Sequence, residues 1–149
     1  MPSDAPRVLY SAKDLVNFFG CKHATALDLV VRAGAMPAPE EPKDEYRDLL
    51  RAKGIAHEKR YLETLRAQGK TTREIPDLGS LEPRAEATRQ AMRDGVDVIY
   101  QGALENLPWY GYSDFLMRVE KPSRLGAYSY EVADTKLARS AKPKHVFQL

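Results

Sequence analysis

Asp134 and Lys136 stand two residues apart in Tyr130-Glu131-Val132-Ala133-Asp134-Thr135-Lys136-Leu137, and Asp114 stands upstream in Trp109-Tyr110-Gly111-Tyr112-Ser113-Asp114-Phe115-Leu116. Both runs have the aromatic and β-branched make-up of strands. Alternate side chains of a strand share a face, so Asp134 and Lys136 point the same way, with Val132 and Tyr130 behind them. A carboxylate beside an ammonium on an otherwise apolar strand is costly to bury unless each has a partner or a task. A third group, His57, falls on a long predicted helix. Two carboxylates and an imidazole converging on one point would suit a hard divalent cation such as Mg²⁺ or Mn²⁺. A lysine next to them would position and help deprotonate a water, or stabilise charge developing on a phosphate. That is the minimum equipment for hydrolysing a phosphodiester. The competing reading is a structural Asp–Lys ion pair in an α+β domain that binds no metal.

The chain of 149 residues suits one domain of ordinary size with one hydrophobic core. A hydrophobic content of 43% with 30% charged residues excludes a disordered or membrane-embedded class. The net charge of +2 is too small to argue for or against nucleic acid. Cys21 is the single cysteine, so an internal disulfide is excluded and a reducing compartment is expected. The first ten residues read as a polar tail without the apolar core of a signal peptide, and no run reaches transmembrane length. The expected location is cytoplasmic, with no membrane partner.

Ser11 is the predicted N-cap of a helix that Gly20 stops, and a second helix is expected from about Ala24 to Gly34. Met36 to Pro42 is a loop. Residues 44–68 predict one long helix on which Leu50, His57, Tyr61 and Leu65 share a face. Gly54 within it suggests the close approach of another element, with simple surface tolerance as the alternative. Thr71 to Ile75 predicts a short strand, and Glu82 to Arg93 a helix closed by Gly95. Two strands follow, Val96 to Leu104 and Trp109 to Val119, joined as a hairpin through Glu105–Pro108. The Asp134 strand comes next, and Pro143 begins a last helix. That helix is expected to be cut short at Leu149, making the chain the N-terminal piece of a longer protein.

In this order the motifs resemble the PD-(D/E)XK nuclease superfamily, and within it the RecB-like nucleases, including their CRISPR-associated and helicase-fused branches. Gly54-Ile55-Ala56-His57-Glu58 resembles the helical histidine motif of that group. Gly111-Tyr112-Ser113-Asp114 resembles its glycine-x-x-aspartate motif, Asp134-Thr135-Lys136 its (D/E)-x-K element, and Gln148 the first residue of its glutamine-x-x-x-tyrosine motif. The resemblance implies an α+β fold with a restriction-endonuclease-like α/β core. Its mixed central sheet would carry an antiparallel hairpin and be flanked by helices, after an N-terminal helical segment. The nuclease domain would occupy residues 11–149 and be incomplete at its C-terminal end.

The resemblance also implies roles. His57, Asp114, Asp134 and the Thr135 backbone carbonyl would bind Mg²⁺ or Mn²⁺, and Lys136 would be the catalytic lysine. Glu58 would be auxiliary, a solvated helix-face glutamate being the alternative. Cys21 resembles the first of four ligands to a 4Fe-4S cluster whose other cysteines would lie beyond this chain; a small buried residue is its alternative. Arg139, Lys142 and Lys144 are candidates for phosphate contact, with solvated surface as the other reading. The implied activity is metal-dependent DNA cleavage on single strands or ends, in repair, recombination or defence, with a helicase as possible partner. The alternative is a non-catalytic nucleic-acid-binding or structural module for such a helicase.

Overall fold

The computed structural model describes residues 8–135, and the proposed positions Lys136, Arg139, Lys142, Lys144 and Gln148 lie outside them. Elements run α1 (Ala12–Gly20), α2 (Lys22–Arg32), α3 (Glu45–Ala67), β1 (Thr72–Glu74), α4 (Leu81–Arg93), β2 (Val98–Asn106), β3 (Trp109–Val119) and β4 (Ser129–Ala133). The four strands form one mixed sheet in the order β1-β2-β3-β4. β1 is parallel to β2 across the α4 crossover, and the other two pairings are antiparallel. The fold is therefore α+β.

The sheet is covered on both faces because its strands are apolar on both. Val98, Tyr100 and Phe115 pack with Leu62 and Leu65 of α3. Ile99 and Leu116 point the other way and pack with Ala91 of α4, joined by Val132 and Tyr130. The working face of α3 is thus its C-terminal half. Leu62 and Leu65 are buried and the Tyr61 ring meets Phe115 edge to face at 5.1 Å, whereas Leu50 of the expected face is exposed, as are Tyr46, Leu49 and Ile55. A Cβ on Gly54 would meet open space, so surface tolerance explains that glycine.

Local chemistry sets the element ends. Ser11 and Asp14 form a reciprocal capping box at α1. Asp44 caps α3 through the Arg47 N–H. Cys21 caps α2, which starts two residues earlier than the sequence suggested. Gly95, at φ 68°, turns the chain out of α4 in a conformation that costs glycine nothing sterically. β2 runs on to Asn106, which shortens the hairpin loop to Leu107 and Pro108. β4 stops at Ala133, so Asp134 follows the strand and is not inside it.

The N-terminal segment is tied to the hairpin tip. The Tyr10 N–H donates to the Pro108 carbonyl and the Tyr110 N–H to the Tyr10 carbonyl, both at 2.9 Å. That bridge brings the start of α1 beside β3.

Candidate functional site

The β3–β4 register runs from Val119↔Ser129 to Phe115↔Ala133. The pairing ends there; Asp114 precedes Phe115 on β3, and Asp134 follows Ala133 just past β4. Both line an open groove of about 350 Å³, together with Ser11 and Lys13 at the start of α1 and with Tyr110, Tyr112 and Val132. A divalent cation between two carboxylates that line one groove would be attracted to both. The donor set is hard oxygen, and Mg²⁺ is commonly held by one or two carboxylates with water and phosphate completing its shell. These two residues fit such an ion.

Asp114 sits at the one interruption in the β2–β3 ladder. Pairing passes from Tyr100↔Phe115 to Gly102↔Ser113, and the intervening Gln101 and Asp114 are not paired. Gln101 has a φ of 58°, in the left-handed region that residues other than glycine rarely enter. This conformation breaks the strand alternation. Neighbouring strand residues normally point to opposite faces, yet the Tyr100 hydroxyl and the Gln101 side-chain amide both donate to Glu58 on α3, each at 3.0 Å. Gly102 then falls under α4, where an added Cβ would lie 2.9 Å from Leu116 Cδ1 and 3.0 Å from Ser113 Oγ. Only glycine fits there without displacing a neighbour.

Glu58 is half-buried and bolts α3 to the strand position opposite Asp114. It is neither the solvated glutamate of one sequence reading nor a member of the carboxylate groove. Burial, and secondly the bond to Glu58, push the Tyr100 phenol up to about 12. Tyr130, whose hydroxyl donates to the Val96 carbonyl at 2.6 Å, is pushed up to about 12 chiefly by burial.

His57 neighbours Glu58 on α3 and is half-buried, but it does not line the Asp114–Asp134 groove. Leu116 and Val132 pack toward α4, while α3 covers the face that carries Phe115. Among the described residues, no three His, Cys, Asp or Glu side chains gather closely enough to hold a metal ion. The structure thus brings together two of the three expected ligands. Thr135 is half-buried and follows Asp134 directly; its carbonyl is not part of any described contact. Cys21 is exposed, with its sulfur accepting the Ala24 N–H at 3.5 Å, which sets aside the small buried residue.

Sequence reasoning missed the Glu58–Tyr100–Gln101 junction. Asp14 was legible as the acidic residue in the first turn of α1, but not that its carboxylate is buried and held by Arg32 as well as by the Ser11 N–H and hydroxyl. Burial alone would raise the Asp14 carboxyl, but the bonds from Arg32 and Ser11 outweigh it and hold the group below its ordinary range. Lys13, exposed at the groove rim, is the one cation among the described groove residues. No helix among the described residues is long and apolar enough to cross a membrane.

No family model, curated protein or solved structure matches the chain.

Proposed function

We propose that this chain carries the metal-binding core of a RecB-like, Mg²⁺- or Mn²⁺-dependent nuclease that hydrolyses phosphodiester bonds in single-stranded or free-ended DNA. The observation that carries the reading is that Asp114 of β3 and Asp134, just past β4, line one open groove. Lys136 follows two residues later, completing the Asp-x-Lys pattern. Asp114 and Asp134 would hold the cation. His57 and the Thr135 carbonyl are further ligands by resemblance alone. A bound cation would polarise the scissile phosphate and lower the pKa of an attacking water.

The chain's own residues do the rest. The groove is open, so a phosphate chain can enter it beside Lys13. Lys136 would orient the water and neutralise charge building on the phosphoryl oxygens. Arg139, Lys142 and Lys144 would contact the flanking phosphates, and Gln148 would hold the substrate side of the site. Cys21 would contribute to a 4Fe-4S cluster only alongside cysteines outside this chain, which has one cysteine in all. A helicase partner would deliver the strand.

Lys136→Ala is the direct test of catalysis in the whole protein. Cleavage of labelled DNA is expected to fall by at least about 100-fold, with DNA binding largely kept. Cleavage at the parental rate would remove Lys136 from its role. The second reading, a non-catalytic nucleic-acid-binding module, predicts DNA binding that is indifferent to Mn²⁺ and to Asp134→Ala.

A further inference from the structure

A second cleft adjoins the carboxylate groove and shares Tyr110 and Tyr112 with it. It has a volume of about 600 Å³ and lies between Tyr10, Leu29 and Arg32 on one side and Leu81, Tyr110 and Tyr112 on the other. That volume falls within the roughly 300–1,000 Å³ of small-molecule sites. No carboxylate side chain lines it among the described residues. Tyr112 is 51% exposed and meets Tyr110 edge to face at 6.0 Å. The Arg84 guanidinium lies over the Tyr112 ring at 4.5 Å, and its ion pair to the solvent-facing Asp77 is long, at 3.8 Å. Trp109, 46% exposed, packs at 5.5 Å on Tyr10 at the same end of the hairpin.

Aromatic rings left in water on a strand that elsewhere buries its large side chains are costly unless something covers them. Rings with adjacent arginine and lysine match the two halves of an unpaired nucleotide, a flat base and an anionic phosphate. Duplex bases stack on each other and hide those faces, so the match is to single strands.

We propose that the Tyr110–Tyr112 cleft is a stacking site for the unpaired bases of single-stranded nucleic acid. Bases lie against Tyr112 and Tyr110, and the phosphate chain runs past Lys13 toward Asp114 and Asp134. The last part of that path rests on the nuclease reading; the stacking itself does not.

The test is fluorescence anisotropy of labelled oligo-dT, oligo-U and a blunt DNA hairpin with the full chain in EDTA, which stops cleavage. Single strands are expected to bind at least about ten-fold tighter than the hairpin, and Tyr112→Ala to lose about ten-fold in that affinity. Tyr112→Phe keeps the ring and should bind as the parent does. Tyr112 is half exposed, and circular dichroism verifies that its variants fold. Preference between oligo-dT and oligo-U then names the polymer. Equal binding of single strand and hairpin, binding unchanged by Tyr112→Ala and Tyr110→Ala, or no binding by the folded chain would each overturn the proposal. Mn²⁺ titration separates the two readings. Tyrosine-independent DNA binding with intact Mn²⁺ binding sinks the cleft alone, and tyrosine-dependent binding without Mn²⁺ binding sinks the metal site alone.

Discussion

Gln101 bears the strain of this fold, and it does so opposite Asp114. A residue other than glycine in the left-handed region costs of order 1–3 kcal/mol and persists only where its surroundings hold it. Here the hold is Glu58, which accepts from both Gln101 and Tyr100. Gln101→Val is therefore expected to destabilise by about 2–3 kcal/mol, since a β-branched residue cannot sit there and the Glu58 bond is lost. Gln101→Gly loses the bond but relieves the strain, and should cost clearly less. Urea midpoints of the two variants decide the order; the reverse order would mean that the strain is not present in solution. A second consequence is alkaline lability. Burial above all pushes the Tyr100 and Tyr130 phenols up from the ordinary 10.0 to about 12 in the folded chain. The folded state therefore keeps protons that the unfolded state has released. Stability contributed by these phenols is complete below pH 10 and is lost as pH rises toward 12. Tyr100→Phe should flatten part of that decline in urea melts taken across the window, and an unchanged slope would contradict the assigned cause.

At the scale of elements, the helices and strands were legible because periodicity and caps agreed. Ser11 and Gly20 bound α1, and Trp109 to Val119 forms a strand over the whole predicted run. What the sequence hid was which face each helix uses. Leu50, His57, Tyr61 and Leu65 are spaced for one stripe, but the sheet reaches only the C-terminal half of α3, so Leu62 and Leu65 carry the packing. A 23-residue helix offers several apolar stripes, and only tertiary contact chooses among them. Leu62→Ala should accordingly cost about 2–5 kcal/mol, and Leu50→Ala about 0.5 kcal/mol or less, by chemical denaturation. Equal costs would place the α3 seam elsewhere. The Gln101 junction was equally hidden. Its signal, a glutamine before Gly102 in a strand, is too weak to reveal a left-handed residue, because alternation is the assumption that it breaks.

For the whole molecule, the candidate site was legible in part. Asp114 and Asp134 were picked out as carboxylates on strand-like runs, and both line one groove, although Asp134 falls just past β4. His57 was placed with them by motif order, and on α3 it does not line their groove. A sheet held between α3 and α4 thus has two carboxylates in one open groove, beside a cleft lined by Tyr10, Tyr110 and the exposed Tyr112. We propose that those carboxylates hold a divalent cation. A calorimetric Mn²⁺ titration of the parent chain beside Asp114→Ala, Asp134→Ala and His57→Ala decides it. Binding in the parent that is lost in both aspartate variants is the predicted result, and a weakened His57→Ala would add α3 to the site. Binding that survives in Asp114→Ala and Asp134→Ala, or no binding by the folded parent, would contradict it.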